Sequence, residues 1–223
     1  MIKNVKTTDL FDLEKTIAKD IFNGRTYPWE VLPEIKAFVI ELGKKLPKDL
    51  FTLRGENVWV ANSCKIYPNV YIDGPCIIDE GTEIRPGAFI RGSVIVGKNC
   101  VIGNSTELKN CIIFDSVQVP HFNYVGDSIL GYKSHIGDGG VTSNMKSDKS
   151  LVVLHFGDGD METGYKKFGA MIGDYVEVGC NSVLNPGTII GRHSNIYPTS
   201  CVRGYVPENC IFKAERGICV KYQ

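Results

Sequence analysis

Residues 60–114 read VANSCKIYPNVYIDGPCIIDEGTEIRPGAFIRGSVIVGKNCVIGNSTELKNCIIF, and a large apolar residue stands at every sixth position. The series is Val60, Ile66, Ile72, Ile78, Ile84, Ile90, Val96, Ile102, Leu108 and Phe114. It slips by one residue and resumes at Val119 and Val125, then slips again to Leu130 and Ile136. After an interruption it returns at Ile172, Val178, Leu184, Ile190, Ile196 and Val202. A period of six matches neither a helix, at 3.6, nor one long strand, at 2.0. It matches short strands joined by tight corners and stacked coil on coil, the pattern of a hexapeptide β-helix.

The position four beyond each large residue is small or compact. It holds Cys64, Val70, Cys76, Thr82, Ala88, Val94, Cys100 and Thr106, and later Val176, Ser182, Thr188, Ser194 and Ser200. A narrow coil takes one large inward side chain per face and a small one near the corner. Gly, Asn, Asp and Pro fill the positions between, as corners require. The fold class expected is therefore all-β, a parallel β-helix preceded by a short helical segment.

The 223 residues have a formal net charge of zero, so no field steers the chain to nucleic acid or an anionic membrane. No apolar run approaches a membrane span, and the start, MIKNVKTTDLFDLEK, has no signal-peptide core. A cytoplasmic protein is expected, with neither nucleic acid nor membrane as a partner. The eight cysteines include no Cys-x-x-Cys pair and no zinc-finger spacing, and three sit in the small inward slot. Most of them are read as buried small apolar residues.

Residues 1–56 lack the six-residue period. Thr8 or Asp9 is expected to cap a helix carrying Leu10, Phe11, Leu13, Ile17 and Ile21/Phe22, broken at Asn23-Gly24. Pro28-Trp29-Glu30 opens a second, with Leu32, Ile35, Phe38, Val39 and Leu42 on one face, ended by Gly43 and Pro47. One end of the coil is the expected seat for both, since it exposes strand edges and core. Residues 57–223 form the β-helix, interrupted at 145–170 by a flap, in which Leu151–Phe156 reads as a strand and Gly157–Asp160 as a hairpin turn.

Two stretches resemble known proteins. The pieces Arg85-Pro86-Gly87, Ile102-Gly103-Asn104, Glu107-x-Lys109 and His121-x-x-Tyr124-x-Gly126-Asp127 are similar to the acetyltransferase half of the bifunctional bacterial enzyme that makes UDP-N-acetylglucosamine. METGYKKFGAMIGDYVEVGCNSVLNPGTIIGRHSNIYP, residues 161–198, resembles archaeal sugar-1-phosphate nucleotidylyltransferases that carry a hexapeptide acetyltransferase domain. The likeness covers about residues 57–212. The first 56 residues hold no Gly-rich phosphate-binding loop, so the chain is read as a stand-alone β-helix without the nucleotidyltransferase domain.

The resemblance implies a left-handed helix, a homotrimer, and transfer of an acetyl group from acetyl-CoA to an amino-sugar phosphate such as glucosamine-1-phosphate. It implies His121 as the base, a role an imidazole titrating near neutrality can fill, and Asn144 as its catalytic companion. Arg85, Lys109, Tyr124, Glu107 and, more distantly, Lys146 are implied on the sugar and its phosphate, where Arg can grip bidentately and Lys acts as a point charge. Asp138, Gly139, Cys180 and Pro198 are implied along the acetyl-CoA, and no metal is expected. The chain departs from the family at His135-Ile136-Gly137-Asp138-Gly139-Gly140, where Asn-x-Gly-Ala-Gly-Thr is usual, at Asn144-Met145 for Asn-Tyr, and at Cys180 for a serine. A sugar-phosphate or nucleotide-sugar binding or regulatory trimer with a degenerate site is the alternative. A zinc site of the carbonic-anhydrase type lacks the paired histidine spacing: His121, His135, His155 and His193 are the four available.

Overall fold

The computed structural model describes residues 4–156, 159–214 and 217–220. The six-residue period closes into a left-handed parallel β-helix of about eight turns. Its three faces are built in turn. The first holds Val58–Ala61, Cys76–Ile78, Val94–Val96, residues 111–113 and 128–130, Ala170–Ile172, Thr188–Ile190 and Tyr205–Val206. The second runs from Lys65–Ile66 through Glu83–Ile84, Val101–Asn104, Gln118–His121, His135–Ile136, Glu177–Val178 and Asn195–Ile196 to Cys210–Lys213. The third holds Tyr71–Ile72, Phe89–Ile90, residues 107–108 and 124–125, Val141–Thr142, Val183–Leu184 and Cys201–Val202.

The large residues of the period point inward, and from Ile78 to Leu108 they are fully buried. From Cys76 onward the small slot is buried as well, and most of its hydroxyls bond coil carbonyls: Thr82 Oγ1 donates to Gly97 O (2.6 Å) and Ser194 Oγ to Pro207 O (2.6 Å). One assignment within the period is corrected. Ile113, not Phe114, pairs with Val96 and Leu130 in the inward row. The hexad shortens before Ile113, which turns Phe114 to the corner, where its ring lies 5.2 Å from that of Phe11 and 6.1 Å from that of Phe22.

The N-terminal segment differs from expectation in form and place. Instead of one long first helix it makes short turns, Thr7–Leu10, Leu13–Lys15 and Lys19–Phe22. The first begins after Lys6, so neither Thr8 nor Asp9 is its cap. The second helix is split into Pro28–Val31 and Ile35–Gly43, since Pro33 has no N–H to carry a helix through. Strand Phe51–Gly55 then pairs antiparallel with Val58–Ala61.

The segment does not sit on the end of the coil. It runs as a strap lengthwise along the first face. Tyr205 of the last coils donates to Asn4 O (3.3 Å), Asp174 N to Leu10 O (3.0 Å), Asp115 N to Lys15 O (3.0 Å), and Asn110 Nδ2 to Leu32 O (3.2 Å). Gly43 finally lies against the Trp59 ring, where a Cβ would come within 2.3 Å. The cause is a row of outward side chains on that face, Ile77, Ile95, Ile112, Ile129, Met171 and Ile189, stacked in register and all buried. Burying such side chains is worth roughly 1.5–3 kcal/mol each. The end of the coil offers less, and its Cys64, Ile66, Val70 and Ile72 stay half-buried.

The excursion packs outside the coil. Val153–Phe156 pairs antiparallel with Gly159–Glu162 and, among the described residues, with no coil strand, so Gly159 and Asp160 belong to the second strand rather than to a turn, and residues 157 and 158 lie outside the described residues. Val152, Leu154 and Phe168 are buried, and Phe168 lies 5.8 Å from Trp29. Of the cysteines, Cys76, Cys100, Cys111 and Cys210 are buried as read, whereas Cys180 and Cys201 are exposed.

A stability prediction arises from the corner between the first and second faces. Asp79 is buried, accepts a bond from Glu80 N (2.8 Å) on one oxygen, and has no partner on Oδ2 among the described residues. Burial pushes its carboxyl above the usual range. A raised folded-state value means that the native state holds its proton more tightly, so this group's contribution is present in acid and lost as pH rises through the folded value. Asp79→Asn should therefore raise the urea midpoint at neutral pH, and the gain should shrink on acidification. A loss of stability at pH 7 would contradict this reading.

Candidate active site

The site residues fall on two ridges. The ridge between the second and third faces carries Pro86, Asn104, His121, Asp138, Cys180 and Pro198 as one column. Ser105 N donates to Pro86 O (3.2 Å), Gly139 N to His121 O (3.1 Å), Asn181 N to Asp138 O (2.7 Å) and Thr199 N to Cys180 O (2.8 Å), and His121 pairs with Asn104. The corner residues Gly87, Ser105, Phe122, Gly139, Asn181 and Thr199 all take positive φ. That repeated left-handed step stacks the ridge. Arg85 stands at the base of this column, paired with Glu83 at 3.2 Å.

His121 is exposed at the end of its strand. Its corner is held by Asn123, a buried residue to which the sequence reading gave no role. Asn123 Oδ1 accepts from His121 N (3.0 Å), and its Nδ2 donates to the carbonyls of Gly137 (2.7 Å) and Gly140 (3.1 Å). The imidazole is thus presented on a corner tied to the next coil.

The third face and the ridge between it and the first face carry the rest. Asn144 Nδ2 donates to Tyr124 Oη (3.1 Å) and to Asp127 Oδ2. Asp127, 5% exposed, also accepts from Asn110 Nδ2 (2.9 Å), and Lys109 Nζ stands 3.7 Å away. Glu107 pairs with Arg91 at 2.6 Å. Tyr124 folds over Gly126, where any Cβ would meet the phenol oxygen at 2.4 Å. Burial raises the Tyr124 phenol, with Asp127 and Glu107 adding to it. Burial lowers the Lys109 ammonium, Asp127 opposes, and nearby Lys167 and Arg91 push it further down.

The structure therefore gathers Lys109, Glu107, Tyr124 and Asn144 on the third face and its far ridge, and places His121, Arg85, Asp138, Gly139, Cys180 and Pro198 on the ridge at the near side of that face. Lys146 joins neither group: it bonds Ser150 (2.6 Å) and lies 3.6 Å from Asp148 within the excursion. The lysine that reaches Lys109 from the excursion is Lys167. Asp127 and Asn110 were also missed, because Asp and Asn at corners, here with φ of 48° and 47°, read as turn formers. Among the described residues no group of three His, Cys, Asp or Glu could hold a metal, and no helix is long and apolar enough to cross a membrane.

The fold is that of a hexapeptide-repeat β-helix. The chain resembles, in particular, the acetyltransferase half of GlmU-type bifunctional proteins. It is 32% identical over 222 residues to the bifunctional protein GlmU of Methanococcus maripaludis, which covers 91% of this chain and 50% of that protein. It is 31% identical over 175 residues to a bifunctional sugar-1-phosphate nucleotidylyltransferase/acetyltransferase of Sulfurisphaera tokodaii, covering 70% and 43%. The chain thus spans about half the length, or less, of these curated relatives. A family described as the GMPPB C-terminal domain matches residues 72–153. A solved putative acetyltransferase of Bacillus cereus superposes with a TM-score of 0.41 at 16% identity, covering 74% of this chain and 78% of that one. A superposition that loose says nothing about activity.

Proposed function

We propose that the chain is an acetyl-CoA-dependent N-acetyltransferase acting on an amino-sugar phosphate, with glucosamine-1-phosphate as the first acceptor, and that it works in the cytoplasm as a homotrimer. The observation that carries this reading is the cluster at Tyr124. Lys109, Lys167 and Arg91 set three cations against two carboxylates, Asp127 and Glu107. One positive charge in excess, beside a bonded phenol and amide, suits a sugar phosphate. His121 on the opposite ridge suits proton removal from an attacking amine.

The two ridges are separated by the third face within one chain, so a complete site needs a second copy. The third face carries exposed Tyr71, Phe89 and Val183, apolar surface that a neighbour would cover. In this arrangement the base of one subunit faces the phosphate cluster of the next, and the trimer holds three sites. Asp138, Gly139, Cys180 and Pro198, above His121 on its ridge, line the donor in this reading, and Asn144 orients Tyr124.

Thiol release from acetyl-CoA, measured against a panel of amino sugars and their phosphates, tests the reading on material sized by sedimentation. Release with a phosphorylated amino sugar by a trimer is expected. A monomer at micromolar concentration would count against the shared site. One observation favours the alternative, a sugar-phosphate or nucleotide-sugar binding or regulatory trimer: Asp138 sets a carboxylate on the donor ridge next to His121. That reading gains if acceptors bind and no thiol is released.

A further inference from the structure

His135 has no role in the reading above, yet it is the best-oriented imidazole near either ridge. It stands on the second face in register with Gln118 below and Glu177 above, and its Nδ1 lies 2.8 Å from Glu177 Oε2. With Nδ1 held by a carboxylate, Nε2 is the nitrogen left to act. The outward positions on the flanking strands are Gln118, Glu177 and Asn195. Glu177 is thus the one charge that faces the ring from them, with Asp138 and His121 at the adjoining ridge.

The pair opens on a groove of about 540 Å³ lined by His135, Gly137, Glu177, Gly179, Cys180 and Pro198 among others. Gly137 and Gly179 leave the groove wall without side chains, and Ile196 and Ile211 add apolar surface. His135 marks the end nearest the strand of His121, since Gln118–His121 is the neighbouring strand of the sheet. An acyl-thioester arm lying over the two glycines would bring its sulfur to this polar end and its carbonyl toward the His121 corner.

We propose that His135, held by Glu177, is the general acid of the transfer and protonates the departing thiolate of the acyl donor. The inference rests on the acyltransferase reading. The acceptor nitrogen forms a bond to the thioester carbonyl carbon and gives its proton to His121. The C–S bond breaks, its electron pair goes to sulfur, and sulfur takes the Nε2 proton of the His135 imidazolium. Glu177 is a positioning residue that stabilises that imidazolium, and solvent restores both rings to their starting states.

The base must start neutral and the acid protonated, so wild-type turnover should be bell-shaped in pH. His135→Gln should lower turnover about 10²-fold, at the low end of the usual range for such proton transfer, and abolish the high-pH limb. CoA affinity by calorimetry should be unchanged. Glu177→Gln should keep both limbs and lower turnover less than His135→Gln does. A His135→Gln protein that keeps the high-pH limb, or that loses CoA affinity in proportion to turnover, overturns the proposal and leaves the acyltransferase reading standing. A wild-type protein inert toward every amino sugar sinks both.

Discussion

His121→Ala should lower turnover by roughly 10²–10⁴-fold, the usual scale for removing a general base. The side chain is exposed on a corner whose backbone is fixed by Asn123 rather than by the imidazole, so its loss should leave the fold and the binding of both substrates nearly intact. The proton it takes moves only in the transition state, so the loss should fall on kcat and spare KM. Lys109→Ala, or Arg85→Ala on the other ridge, should show the opposite pattern, with KM for the phosphorylated sugar rising more than saturated turnover falls. The low-pH limb of the profile should vanish in His121→Ala alone. Equal turnover per folded assembly in His121→Ala and wild type would remove His121 from the chemistry.

The coil was legible in the sequence because its core repeats. Each inward Ile or Val and each small neighbour obeys the same packing rule in every turn. The strap was not legible, because its signal recurs only once per turn of the coil. Ile77, Ile95, Ile112, Ile129, Met171 and Ile189 stand one residue before the inward positions, and only on every third strand. Against the inward series they read as extra apolar residues, yet they decide which face is covered. The corner slips had the same ambiguity: Ile113 and Phe114 are both apolar, and only pairing with Val96 and Leu130 separates them.

The site was legible by motif and illegible by geometry. His121 and Tyr124 are three apart in sequence, but the corner between them leaves His121 on the ridge and Tyr124 on the third face, with its phenol turned to Asn144 beyond that face. Asn144 reads as a catalytic amide, whereas its hydrogens are taken by Tyr124 and Asp127. Lys146 and Lys167 both lie on the excursion, and spacing alone does not tell which returns to Lys109. That depends on Phe168, whose burial against Trp29 brings the excursion back to the ridge.

Residues 11–22 of the strap should be held chiefly at Phe114, and Phe114→Ala should cost about 3–5 kcal/mol, the range for deleting a buried Phe side chain. The ring is fully buried and meets Phe11 at 5.2 Å and Phe22 at 6.1 Å. Two short turns of the strap thus close on one side chain of the coil. Their helical geometry adds little, because segments of three or four residues are too short to be stable alone. Asp174 assists through Asp12 N (2.7 Å) and Leu10 O (3.0 Å), but those bonds sit beyond the aromatic contact and cannot replace its area. The cavity should free residues 11–22 to proteolysis before the coil itself unfolds, since the coil's inward rows do not include Phe114. Phe114→Leu, which keeps most of the volume, should cost far less and leave the strap protected. Limited proteolysis and urea unfolding of both variants separate the outcomes. A loss below about 1 kcal/mol in Phe114→Ala, far under the usual range, or first cleavage within the coil, would mean that the strap is anchored elsewhere.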